Sequence, residues 1–101
     1  MHYAVSNDNW EATEILLQNN ADPDVQDKDG FTPLHLASAS NYWQIAKKLL
    51  KYKANPNVQD KNGNVPLHFA AEQNNLAILK LLVENPHSDQ KGNIDAVNNY
   101  D

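Results

Sequence analysis

Three histidines, His2, His35 and His68, recur 33 residues apart, and the first chemistry such a set raises is metal ligation. Imidazoles that share one ion must each reach within about 2 Å of it. If each histidine sits on its own helix, neighbouring axes lie about 8 to 10 Å apart, too wide for three rings to converge. The regular spacing therefore marks a repeat and not a metal centre. His87 stands apart, near Asp89 but without a serine or cysteine nucleophile at a motif spacing, and reads as a solvated loop residue.

The segment Asp27-Lys28-Asp29-Gly30 alternates carboxylates before a glycine, as does the first half of an EF-hand calcium loop. Counting from Gly30 puts Val25 at the first ligand position and Leu36 at the closing glutamate; the Gly63 frame puts Val58 and Phe69 there. Neither coordination shell closes, so no metal and no cofactor are expected. Asp27 and Asp60 read instead as turn residues that accept from local backbone donors, with Gly30 and Gly63 at positive backbone angles. No motif pairs a nucleophile with a base, and intrinsic enzymatic activity is not expected.

The aromatics carry two further readings. Trp10 and Trp43 keep the 33-residue spacing among apolar helix positions, which predicts burial between helices and not a cofactor stack. Phe31 follows the turn glycine, where the next repeat has Asn64. An exposed ring there would be a contact residue, and partial burial against the next hairpin is the alternative.

Composition narrows the class of molecule. At 101 residues the chain holds one small core or a piece of a longer array. It has no cysteine, which excludes disulfides and thiolate zinc. No apolar run approaches the roughly 20 residues of a membrane span, and Met1 to Trp10 lack the pattern of a signal peptide; an intracellular, cytoplasmic setting is expected, without membrane insertion. Net charge is -5, every cation is a lysine, and no basic cluster interleaves with aromatics along one predicted face, so nucleic acid is not an expected partner.

The elements that position these residues follow from the repeat. Ala4, Ala37 and Ala70 keep the same register, as do Leu16-Leu17, Leu49-Leu50 and Leu82-Val83, and Trp10, Trp43 and Leu76. Two connectors, residues 21 to 30 and 54 to 63, are nearly identical and rich in Pro, Asp, Asn and Gly, which makes them turns. After each glycine a helix begins: Thr32 caps, Pro33 takes the first helical position, and Leu34, Leu36 and Ala37 supply a buried side. A second helix follows, with Ile45, Ala46, Leu49 and Leu50 in one repeat and Ile78, Leu79, Leu82 and Val83 in the next. The predicted helix pairs run from Met1 to Asn19, Pro33 to Tyr52 and Pro66 to Glu84.

Asp27-Lys28-Asp29-Gly30-Phe31-Thr32-Pro33-Leu34-His35-Leu36-Ala37 resembles the motif of the ankyrin repeat, and Asp60 to Ala70 is similar. The resemblance extends over nearly the whole chain. It implies an all-α fold, an ankyrin-repeat solenoid of stacked antiparallel helix pairs joined by β-hairpin-like turns. It further implies that His35 hydrogen-bonds the Thr32 hydroxyl and nearby backbone, an arrangement whose loss would cost about 1 to 2 kcal/mol. His68 would lack that hydroxyl, because Val65 stands in place of the threonine. Lys48 also departs from the family pattern, at a helix site that is usually apolar.

The same resemblance implies a module or scaffold that binds another protein through a concave surface of turns and first helices. The family's contact positions fall here on Gln26, Lys28, Asp29, Phe31, Ala39 and Ser40, and on Gln59, Lys61, Asn62, Asn64, Glu72 and Gln73, with Ser6 and Asn7 extending them. These side chains vary between the repeats while the core residues do not. The alternative is a fragment that targets or positions substrate for a larger enzyme or effector protein. Asn57, eight residues after Leu49, is similar to asparagines that hydroxylases modify in this family, though a plain turn asparagine has the same sequence. One array is expected over 1–101, with partial repeats at both ends and an inserted loop near 85–92. Uncapped ends of this kind would expose apolar faces and allow self-association.

Overall fold

The computed structural model describes residues 1–84, and all statements below concern those residues. Six helices follow one another: α1 (His2–Ser6), α2 (Trp10–Gln18), α3 (Pro33–Ser40), α4 (Trp43–Lys51), α5 (Pro66–Glu72) and α6 (Leu76–Glu84). They form three pairs at the predicted places. The expected inserted loop near 85–92 lies outside the described residues.

Local chemistry sets the helix starts. At α2 the Asn9 side chain accepts from the backbone N–H of Ala12 at 3.0 Å. At α3 the Thr32 hydroxyl accepts from the His35 N–H at 3.3 Å, and Pro33 occupies the first turn, where its missing donor is harmless. Pro66 does the same for α5. Between the two helices of each pair the chain reverses through a left-handed residue: Asp8 (φ 53), Asn41 (φ 59) and Asn74 (φ 57). Asn and Asp tolerate this region better than other non-glycine residues. The turn after the second helix uses Asn20 (φ 68) and, one repeat on, Lys53 (φ 68).

The pairs stack in two layers. First helices pack on one another, α1 on α3 and α3 on α5, while α4 packs between α2 and α6. Each side of the stack contributes to one core, in which Leu34, Ile45, Leu49, Ile78 and Leu82 are fully buried. Burial of side chains of this size stabilises by about 1.5 to 3 kcal/mol each, an upper figure because the unfolded chain already buries part of them. Leu16 shares the register of Leu49 and Leu82 but is exposed, as are Tyr3 and Ile15 of the same first pair.

Connector packs on connector as well. The Asp24 carboxylate accepts from the Asn55 N–H at 2.7 Å, Gln26 Nε2 donates to the Gln59 carbonyl at 3.0 Å, and the Lys61 N–H donates to the Asp29 carbonyl at 3.1 Å. Gly30 has φ +84, and a Cβ there would lie 2.9 Å from Asp60 Cα and Lys61 N. This glycine is required twice, by its own angle and by the next turn.

The departure at Lys48 has a physical explanation. Its Nζ lies 3.1 Å from Glu14 Oε2 and 5.2 Å from the centre of the Trp10 ring, so its stem covers apolar surface while its head is paired. The two tryptophans differ from expectation. Both are exposed, at 41% for Trp10 and 46% for Trp43. Each is the first residue of its helix and lies on the outer layer, where no further layer covers it.

Candidate functional site

The turn aspartates behave as their sequence context suggests. Asp27 Oδ1 accepts from the N–H groups of Asp29 and Phe31, both at 2.9 Å. Asp60 Oδ1 does so from Asn62 at 2.8 Å and Asn64 at 2.9 Å. Desolvation is the largest single influence and would raise the Asp27 pKa, but the two backbone donors, with His2 and His35 nearby, together outweigh it and hold the carboxyl below its ordinary value.

His35 sits behind the first tip. Its Nδ1 accepts from the Thr32 backbone N–H at 3.0 Å and lies 2.8 Å from the Thr32 hydroxyl. A backbone N–H can only donate, so Nδ1 carries no proton and Nε2 must. That Nε2–H donates to the Asn64 carbonyl at 2.8 Å, which ties one repeat to the turn of the next. His2 Nε2 reaches the Phe31 carbonyl in the same way at 2.6 Å. In the following repeat Val65 offers no hydroxyl, yet its N–H still donates to His68 Nδ1 at 3.0 Å. The sequence reading found the contact within the repeat and missed the one between repeats.

Burial lowers the His35 pKa below its usual 6.5, against the opposing pull of the Asn64 carbonyl, Asp60 and Asp27. The folded state therefore favours the neutral ring. Above about pH 6.5 both states are neutral and the contribution of His35 is intact; below it the unfolded chain takes up the proton first. Stability should decline as pH falls from 6.5 towards the lower folded pKa and level off beneath it. An NMR titration of the His35 ring should give a midpoint below 6.5, and a midpoint above it would refute this assignment.

The predicted contact residues separate into three groups. Lys28, Asp29, Gln59, Lys61 and Asn62 are exposed at the turns, and Ser6, Asn7, Ala39, Ser40, Glu72 and Gln73 are exposed at the C-terminal ends of the first helices. The Lys61 N–H on the Asp29 carbonyl brings adjacent tips together, and α3 against α5 brings the helix ends together. Gln26 is exposed too, but its amide is committed to the carbonyls of Gly30 and Gln59. Asn64 does not belong to the exposed set: it is 5% exposed, with Nδ2 turned towards Asp60 Oδ2 because the carboxylate that organises the turn draws it inward.

Phe31 is half-buried. Its ring lies 5.8 Å from Phe69, edge-on, and 5.9 Å from His35, and His35 lies 5.7 Å from Phe69. Phe69 entered the sequence reading only as the residue that breaks the calcium frame at Gly63, not as a contact residue, although its place one residue after His68 is the same as that of Leu36 after His35. The result is a small aromatic patch, partly open, among polar turn residues.

The outer layer holds what the sequence reading excluded. Trp10, Trp43, Gln44, Lys47, Lys48 and Lys51 line a groove of about 510 Å³, so basic and aromatic residues do interleave on one face. The signal was present as Trp43, Lys47 and Lys51 at successive four-residue steps of one helix. Among the described residues no group of three or more His, Cys, Asp or Glu is placed to hold a metal, and no helix is long and apolar enough to cross a membrane.

Stacked helix pairs bound by repeating turns define a helical repeat solenoid. The chain belongs to the ankyrin repeats: the family model of ankyrin repeats in three copies matches residues 1–96. Proteins of this family are generally modules that bind other proteins, and they are typically not enzymes. Comparison with curated proteins gave no significant match.

Proposed function

We propose that this chain is a scaffold that holds a protein partner against its turn tips and the ends of its first helices, with the Phe31–Phe69 patch at the centre. The observation that carries this reading is the exposure of Lys28, Asp29, Lys61, Asn62, Glu72 and Gln73 around an aromatic patch that packing leaves half open. An apolar centre with a polar rim is the usual anatomy of a protein interface. The core does not need these side chains, so they are free to recognise.

Changing Lys28→Glu together with Lys61→Glu should weaken partner binding by about 1 kcal/mol, mainly by slowing encounter. Phe31 is left in place because its ring also packs on His35 and Phe69. Lys51→Ala with Tyr52→Ala, on the outer layer, should leave that partner bound. Titration of a partner recovered by pull-down, followed calorimetrically, checks both. Loss of binding in the outer-layer variant with retention in the turn variant would overturn the assignment.

The exposed Tyr3, Ile15 and Leu16 of the first pair support a second contact through that face, with another repeat or another copy as occupant.

A further inference from the structure

The groove on the outer layer is a separate feature from the turn tips. Its lysines are unevenly placed for a chain of net charge -5. Lys47 and Lys51 are exposed and make no ion pair among the described residues, while Lys48 is held by Glu14. A second depression of about 330 Å³ adjoins it, shares Trp43 and Lys47, and adds Lys80 and Glu84. The result is a lysine-rich groove of net positive charge, with two indole rings in its walls and Glu84 at its far part, on a molecule that is otherwise acidic.

The geometry points to a short acidic peptide segment with one large apolar side chain as the occupant of this groove. Trp43, Lys47 and Lys51 stand at four-residue steps on α4, so their Cα atoms follow one another at about 6 Å along the helix. An extended peptide presents alternate side chains on one face about 6.6 Å apart. An apolar residue against Trp43 therefore places carboxylates two and four positions further on opposite Lys47 and Lys51. The indoles supply apolar area and the lysines supply charge complementarity. A long nucleic acid fits less well, because its charge continues beyond the groove onto an acidic surface and is repelled there. A bilayer fits less well because the indoles line the groove walls, whereas membrane anchoring needs apolar side chains that project.

The chain has two tryptophans, and both line this groove, so intrinsic fluorescence reports its occupancy directly. The probe is a short capped peptide in which glutamates and aspartates flank one leucine, titrated at low salt. A saturable change in tryptophan emission is expected, and none with the matching glutamine and asparagine peptide. Lys47→Glu with Lys51→Glu should weaken binding about tenfold or more, since it reverses both exposed charges of the groove. Lys28→Glu with Lys61→Glu should leave the constant unchanged, which separates this groove from the turn-tip surface. An unaltered melting midpoint in the lysine variant shows that the fold is kept. Absence of a saturable change would overturn the inference. So would equal binding of the neutral peptide, equal affinity of the lysine variant, or preferential binding of phosphatidylserine vesicles or oligothymidylate through the same residues.

Discussion

Replacing His35 by alanine should destabilise the chain by about 3 kcal/mol, twice what a capping role alone would suggest. The ring satisfies the Thr32 N–H at 3.0 Å and the Asn64 carbonyl at 2.8 Å, in a position that is 1% exposed. Alanine leaves both backbone groups without this partner, and a buried unsatisfied group costs about 1 to 3 kcal/mol. The tilted ring contact with Phe31 and the edge contact with Phe69 are lost in addition. For a domain of this size each kcal/mol shifts the melting midpoint by about 4 to 8 °C, so a fall of more than about 10 °C is expected. Thermal unfolding followed by circular dichroism measures it. A midpoint within about 3 °C of the parent would show that water replaces the ring without loss. Amide exchange gives a second readout, because release of the Asn64 carbonyl should deprotect the second turn before the rest of the stack.

Gly30→Ala should cost about 2 to 5 kcal/mol, from two sources that add. A left-handed backbone angle costs a residue with a Cβ about 1 to 2 kcal/mol. The new methyl group would meet Asp60 Cα and Lys61 N at 2.9 Å, and backbone atoms cannot swing aside as a side-chain tip does, so overpacking adds about 1 to 3 kcal/mol. Relief requires the second turn to move away, which breaks the Lys61 N–H contact to the Asp29 carbonyl and the Gln26 bond to the Gln59 carbonyl. Urea unfolding of Gly30→Ala beside Lys28→Ala separates the effects. The exposed Lys28 change should stay within about 0.5 kcal/mol of the parent, and an equally small effect at Gly30 would refute the stacked-turn argument.

Much of this architecture is legible in the order of residues because each repeat carries its own instructions. Thr32-Pro33, Asp27, Asp60, Gly30 and Gly63 act within a few positions of themselves, and local hydrogen bonds and backbone angles depend on residue type alone. Asp8, Asn41 and Asn74 belong to the same class: their 33-residue recurrence was visible, though their left-handed angles were not anticipated.

What the sequence by itself determined is the repeat, the helix pairs, the Thr32 cap and the buried side of α3, α4 and α6, since these follow from short-range sterics and from 3.6-residue periodicity. Stacking decided the rest. It turned Asn64 inward, sent His35 across to the next turn, closed Phe31 against Phe69, and left Trp10 and Trp43 on the outside with a row of lysines. Periodicity marks a residue as apolar or recurrent, but whether it is covered depends on a neighbouring repeat 33 residues away and on whether a further layer lies outside it. That distance is beyond the reach of any local rule, and so the surfaces available for binding were settled only by the tertiary structure.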